Sequence, residues 1–260
     1  MANKEQFELL TKNVALWNQW RSKHPWIIPD LEGANLAEIN LSNANLCEAN
    51  LNEAKLNGTN LHKALLRKAN LHKAKLNGAN LIETDLTQAD LSQAVLTGAN
   101  LTQAYLCFAN LTEADLVNAN LTRAYLCESC LNQAKLDNAN LFQADLQQAR
   151  IIKAQLSQAN LEQANLTQAI ITDIIALATN FRGAKLSNST LLNWVIDQET
   201  KLDNKLPHNS QNLLLFPKPE KTPQTSGWSH SEKVTPQPAQ NSQHSTQDQL
   251  KTAKLKSIFG

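Results

Sequence analysis

The sequence predicts an all-β solenoid of four-sided coils, with a helical cap before it and a tail after it. Three observations predict it. A large aliphatic residue recurs at every fifth position from Leu31 to Leu191 apart from Ala176 and Phe181; of the 29 such positions from 31 to 171, 27 are Leu and two are Ile. Two residues before each stands a small one, Ala at 24 of 28 positions between 34 and 169, with Ile39, Thr59, Thr84 and Ser129 as exceptions. Positions 40, 60, 80, 100, 120, 140, 160 and 180 are all Asn, which marks a superperiod of 20 residues.

A period of five suits neither ordinary element. Five residues of α-helix advance about 500°, so successive Leu would lie roughly 140° apart and form no stripe. Along one continuous strand an odd period throws alternate Leu onto opposite faces. The Ala-x-Leu spacing does suit a short extended segment with both side chains pointing one way. The chain must therefore turn every five residues, and four turns close a 20-residue coil. Gly33, Gly58, Gly78, Gly98 and Gly183 all fall two residues after the central position, as do Asn43, Asn118, Asn138 and Asn188, so this phase is the corner. About eight coils follow, roughly 40 Å of rod at strand spacing. Central residues such as Leu36, Leu106 and Leu126 form the core, each contributing roughly 2 kcal/mol of burial. Asn100, Asn120 and their equivalents stack as a column able to ladder its amides.

The Ala-(Asn/Asp)-Leu-x-x pattern, as in Ala34-Asn35-Leu36 and Ala119-Asn120-Leu121, resembles the pentapeptide repeat family. The resemblance covers 31–191 and implies a right-handed quadrilateral β-helix. It also implies that the Leu and Ala columns face inward. Ala176 and Phe181 depart from the pattern, which predicts a bulge or wider loop near 174–180.

A solenoid exposes an apolar cross-section at each end and needs caps. In 1–30, Phe7, Leu10, Val14 and Trp17 form a helical stripe that Trp20 extends and Pro25 and Pro29 end. The stretch Leu16–Arg21 leading to Pro29-Asp30-Leu31 is similar to the leader of many cyanobacterial-type pentapeptide repeat proteins. In 192–206, Trp194, Val195 and Ile196 continue a cluster begun at Leu191, which either plugs the last coil or forms a homodimer contact. From 207 to 260 the composition shifts to Pro, Gln, Ser, Thr and Lys and reads as a disordered tail of net charge +3. Its last dozen residues, with Leu250, Leu255, Ile258 and Phe259 among lysines, read as disorder or as a basic motif that orders on a partner.

The residues carry little that points to catalysis. His62 and His72, ten apart, fall on opposite faces and cannot share a metal or proton. The glycines are corners, not a phosphate loop. Cys127 and Cys130 form a CxxC that straddles a corner, without the helix N-terminus that redox versions use. Cys107 and Cys127 lie one coil apart, where a disulfide is geometrically allowed but a reducing cytosol argues against it. The reading is a non-enzyme with no cofactor or metal. Four cysteines, no apolar leader and no apolar stretch of membrane length place it in the cytoplasm.

What remains is surface. Residues 31–191 hold 12 basic and 14 acidic side chains. Lys55, Lys63, Arg67, Lys68, Lys73 and Lys75 form a girdle over all four faces, a solvated surface. This argues against nucleic acid or membrane as partners, leaving only weak contact through the basic tail. Family members that mimic duplex DNA and protect type II topoisomerases need a strongly negative rod, which this chain lacks. Tyr105, Cys107, Phe108, Tyr125 and Cys127 flank central Leu on one face of adjacent coils. They form the candidate face for a protein partner, or a rung that merely stabilises the stack. The function expected is an interaction scaffold or regulatory binding module.

Overall fold

The computed structural model describes residues 2–203 and 211–215. Parallel bridges join residues 20 apart without interruption from Asp30↔Asn50 to Asn160↔Asn180, so each coil lies in register on the one before. Faces A, B, C and D denote the sides carrying Leu31, Leu36, Leu41 and Leu46 and their equivalents. The hydrogen bonding repeats with the sequence. The central N–H donates to the next coil, as from Leu36 to the Lys55 carbonyl at 2.8 Å. The following coil returns a bond, as from the Lys55 N–H to the Ala34 carbonyl at 2.8 Å. Each corner is then closed by a turn bond, such as Ala34 N–H to Leu31 carbonyl at 3.0 Å. Central Leu and flanking Ala are buried from the first coil to Ala169, and Ala184 and Leu186 near the far end are partly buried.

The corners extend the sequence reading. Positive φ is not confined to Gly and Asn: Glu38, Lys63, Gln103, Phe108 and Ala178 all lie between 52° and 61°. Closing the square demands this conformation at the third turn position whatever the side chain. The Asn or Asp that most often precedes the central Leu has a reason as well. Its carboxamide or carboxylate oxygen accepts the N–H two residues on, as Asn60 does from His62 at 3.2 Å and Asn120 from Thr122 at 3.1 Å. Such Asx turns pre-form the bend. The Asn column ladders in parts. Asn60 and Asn80 each donate to the Asn below at 3.0 Å, whereas Asn120 and Asn140 donate to Thr102 and Thr122 hydroxyls. Thr59, Thr84 and Thr179, which stand where Ala is usual, donate their buried hydroxyls to carbonyls one coil below.

The N-terminal cap is two helices, α1 (Lys4–Lys12) and α2 (Val14–Lys23), where the stripe predicts one. Asn13 breaks it: its N–H caps the end of α1 while its Oδ1 accepts Ala15 and Leu16 N–H groups at the start of α2. Leu10 and Trp17 are buried against the first coil, and Trp20 is partly buried there. Side chains of α2 replace the missing lower coil. Trp17 Nε1–H donates to the Asn45 carbonyl at 2.8 Å, Asn18 Oδ1 accepts the Asn45 N–H at 2.8 Å, and Arg21 donates to the Cys47 carbonyl at 3.1 Å.

At the other end three genuine strands stack in parallel on face A: β1 (Arg150–Ile152), β2 (Ile170–Thr172) and β3 (Thr190–Leu192). The irregularity expected near 174–180 is absent there, because Ile175 and Asn180 keep the 20-residue offset to the coil below. Ile174 in the Ala column and Ala176 in the Leu column exchange sizes and are both buried, conserving volume. The offset changes one coil later, where Asn180 pairs with Lys201. Asp197 holds that extra residue, accepting N–H groups of Ala178 and Thr200 at 2.8 and 2.9 Å. Trp194 stacks on Phe181 with centroids 5.2 Å apart and donates Nε1–H to the Ile171 carbonyl at 2.8 Å. With Leu191, Val195 and Ile196 also buried, this cluster plugs the coil.

The tail boundary at 207 needs correction. Gln211 bridges to Leu192, and β4 (Val195–Ile196) pairs in parallel with β5 (Leu214–Leu215), so 211–215 add a further rung instead of belonging to a disordered tail. The remaining tail readings, including the motif at 249–260, lie outside the described residues.

Candidate interaction face

The five candidate face residues come together on face D. The pleat places residues just before and just after each inward Leu on the outer surface, and the 20-residue register sets Tyr125 over Tyr105. Their rings stack with centroids 5.0 Å apart and 4° between planes. Both remain accessible, at 44% for Tyr105 and 42% for Tyr125, and Phe108 on the adjoining corner is 50% exposed. Among the described residues exposed large apolar side chains are few on the coils; Leu65, two coils below Tyr105, is another on the same face, and Leu214 and Leu215 are exposed on the last rung.

Cys107 and Cys127 are joined by a disulfide, with Cα atoms 4.6 Å apart. This corrects the expectation of free thiols. The physical reason is the register: equivalent side chains on adjacent coils point the same way at a separation within disulfide range. Cys130, the other half of the CxxC, is on face A and makes a 3.3 Å contact between its sulfur and the Thr112 hydroxyl. Cys47 is also free.

Of the remaining candidates, His62 contacts the Ile82 carbonyl at 3.1 Å and His72 the Ser92 hydroxyl at 2.8 Å, each bonded one coil up. Among the described residues no group of three or more His, Cys, Asp or Glu is placed to hold a metal, and no helix is long and apolar enough to cross a membrane. The basic girdle is partly neutralised in place, by Lys63–Glu83 at 3.6 Å and Arg67–Asp85 at 2.8 Å.

Sequence reasoning missed the polar residues that frame the tyrosines. Asp85 bridges to Tyr105 from below, and Asp145 bridges to Tyr125 from above. Burial pushes the Asp85 carboxyl up, but hydrogen bonds from Thr87 and Arg67 outweigh it and hold the group below its ordinary value. The signal was available as the 20-residue spacing of 85, 105, 125 and 145. Charge alone does not distinguish these two aspartates from the others on the rod.

The family model for pentapeptide repeats matches in eight copies, across residues 30–62, 48–81, 64–103, 104–143 and 129–168. No curated protein matches this chain. Among solved structures it is similar to HetL, a pentapeptide repeat protein involved in heterocyst differentiation regulation from the cyanobacterium Nostoc sp. strain PCC 7120. Identity is 28% over 71% of this chain and 84% of that one, with a TM-score of 0.43. A pentapeptide repeat protein of the Arabidopsis thaliana thylakoid lumen is 30% identical over 43% of this chain and 68% of its own, with a TM-score of 0.30. QnrB1, a plasmid-mediated fluoroquinolone resistance protein, is 16% identical over 55% of this chain and 85% of its own, with a TM-score of 0.45.

Proposed function

The chain belongs to the pentapeptide repeat family, and from that premise we propose that it is a non-catalytic scaffold that binds a protein partner through face D. The coil takes the family's right-handed path. The observation that carries the proposal is the exposed Tyr105–Tyr125 stack, held beside a disulfide on a surface that is mostly polar or charged. Amphipathic aromatics on a rigid backbone supply contact area with little ordering cost, which is why such residues concentrate at binding hot spots. The inter-coil hydrogen bonds set the two rungs before any partner arrives. Opposite charges interleave on the early coils, as in Lys63–Glu83 and Arg67–Asp85, unlike the uniform negative surface that duplex mimicry requires.

The test is affinity capture from a lysate of the source cell with the wild-type chain and with the Tyr105→Asp, Tyr125→Asp pair. The partner is expected to be lost from the double variant while its circular dichroism stays unchanged; a partner retained at full yield overturns the proposal. The proposed cytoplasmic location has its own readout. Fractionation that recovers the chain with soluble cytosolic markers supports it, and recovery with the markers of an oxidising compartment counts against it.

A further inference from the structure

The outer column of face D reads Asp85, Tyr105, Tyr125, Asp145 on four successive coils, each joined to the next by a parallel bridge. Because the two rings lie parallel on each other, each has one π face inside the pair. On its other side each tyrosine is followed along the column by an aspartate one backbone rung, roughly 4.8 Å, away. The two ends of this series differ. At the lower end a cation is already in place: Arg67 Nε–H donates to Asp85 Oδ2 at 2.8 Å. At the upper end Asp145 Oδ1 accepts the Gln147 N–H and an Asn165 Nδ2–H, both at 3.2 Å. Among the described residues no Lys or Arg pairs with Asp145. Arg123, on the corner before Tyr125, donates its Nε–H to Gln143 instead.

We propose that the ledge between the Tyr125 ring and Asp145 is the seat for an arginine side chain of the partner protein, which pairs with Asp145 in trans as Arg67 pairs with Asp85 in cis. This inference rests on the reading of face D as the interaction face. Charge and shape both select the guanidinium. A planar cation can lie against a tyrosine face while its N–H groups reach the free oxygen of Asp145. A lysine ammonium is a more strongly hydrated point charge and lacks the planar fork. The exposed Phe108 and the Cys107–Cys127 bond, a coil below and alongside, offer apolar surface for the arginine stem.

The test is an NMR titration of the full chain with the tetrapeptide amide Gly-Arg-Gly-Gly and its citrulline counterpart, which keeps the shape but lacks the charge. The arginine peptide is expected to perturb the Tyr125 ring and Asp145 signals and to bind at least about fivefold more tightly than the citrulline peptide. Asp145→Asn keeps the Oδ1 acceptor that forms the turn, so it should fold normally and lose about the same factor. Arg67→Gln frees Asp85 and should add a second set of perturbations at Tyr105. Equal binding of the two peptides, or an arginine-peptide affinity unchanged by Asp145→Asn, overturns the seat. Partner capture separates this failure from the broader one. Capture lost with the tyrosine pair but kept by Asp145→Asn overturns the arginine seat alone. Capture that survives loss of the tyrosines overturns the face itself.

Discussion

Gly78 sits at φ +62° with nothing within 4 Å of where a Cβ would stand, so a substitution there isolates the backbone from packing. Gly78→Ala is expected to cost about 1 kcal/mol, the penalty of a left-handed residue, read as a lowered midpoint in denaturant. Gly183→Ala should cost more, because its new methyl would also meet Gln163 Cγ at 3.3 Å. The many Glu, Gln and Lys corners already carry this strain, compensated by the inter-coil bonds on either side. The same scale explains the exceptions in the Ala column: a threonine hydroxyl fits where a methyl does, provided a carbonyl lies above or below to receive it.

For the elements, the ends are where specific partners replace repetition. The first coil has no coil beneath it, so its edge groups at Asn45 and Cys47 bond to Trp17, Asn18 and Arg21 of α2. Asn18→Ala removes both the acceptor for Asn45 N–H and the donor to the Asn43 carbonyl. It is expected to destabilise by about 1–3 kcal/mol, with faster hydrogen exchange beginning at Asn45. At the far end Asp197 organises the turn that absorbs the inserted residue. Burial pushes its carboxyl up, but hydrogen bonds from Ala178, Thr200 and Glu199 prevail and depress it. A depressed folded value means that its stabilisation is present above the unfolded value, about 3.9, and is lost as pH falls through the folded one. Amide protection at Ala178 and Thr200 should therefore fall below about pH 4, and Asp197→Asn should abolish that pH dependence.

Across the whole molecule, each coil contacts its neighbours above and below, so stability is nearly a sum along one dimension. Leu106→Asp places a charge in a core where the wild-type side chain is fully buried. It is expected to divide the rod, converting one melting transition into two, one for the coils on each side; a single unshifted transition would refute the one-dimensional picture. The Cys107–Cys127 bond spans this region and closes a loop of one coil. Its removal by paired Ser substitution should cost up to about 3 kcal/mol, seen as a lower denaturant midpoint with the same folded spectrum.

By itself the sequence determined the coil, its four sides, its register and the stacked tyrosines. All of these follow from a five-residue pattern repeated so often that one geometric solution satisfies every copy. Tyr105 and Tyr125 were legible because aromatics at a shared phase stand out against Asn, Gln and Lys. The tertiary structure alone decided the split of the cap at Asn13 and the displacement of the irregularity from 174–180 to Asp197. It also decided the rung at Leu214–Leu215, the disulfide, and the asymmetry between Asp85, paired with Arg67, and Asp145. These depend on which unlike residues meet across a coil or at an open edge. A repeat constrains like positions through the backbone they share, whereas an end, a volume exchange or an ion pair is settled by particular side chains meeting in space.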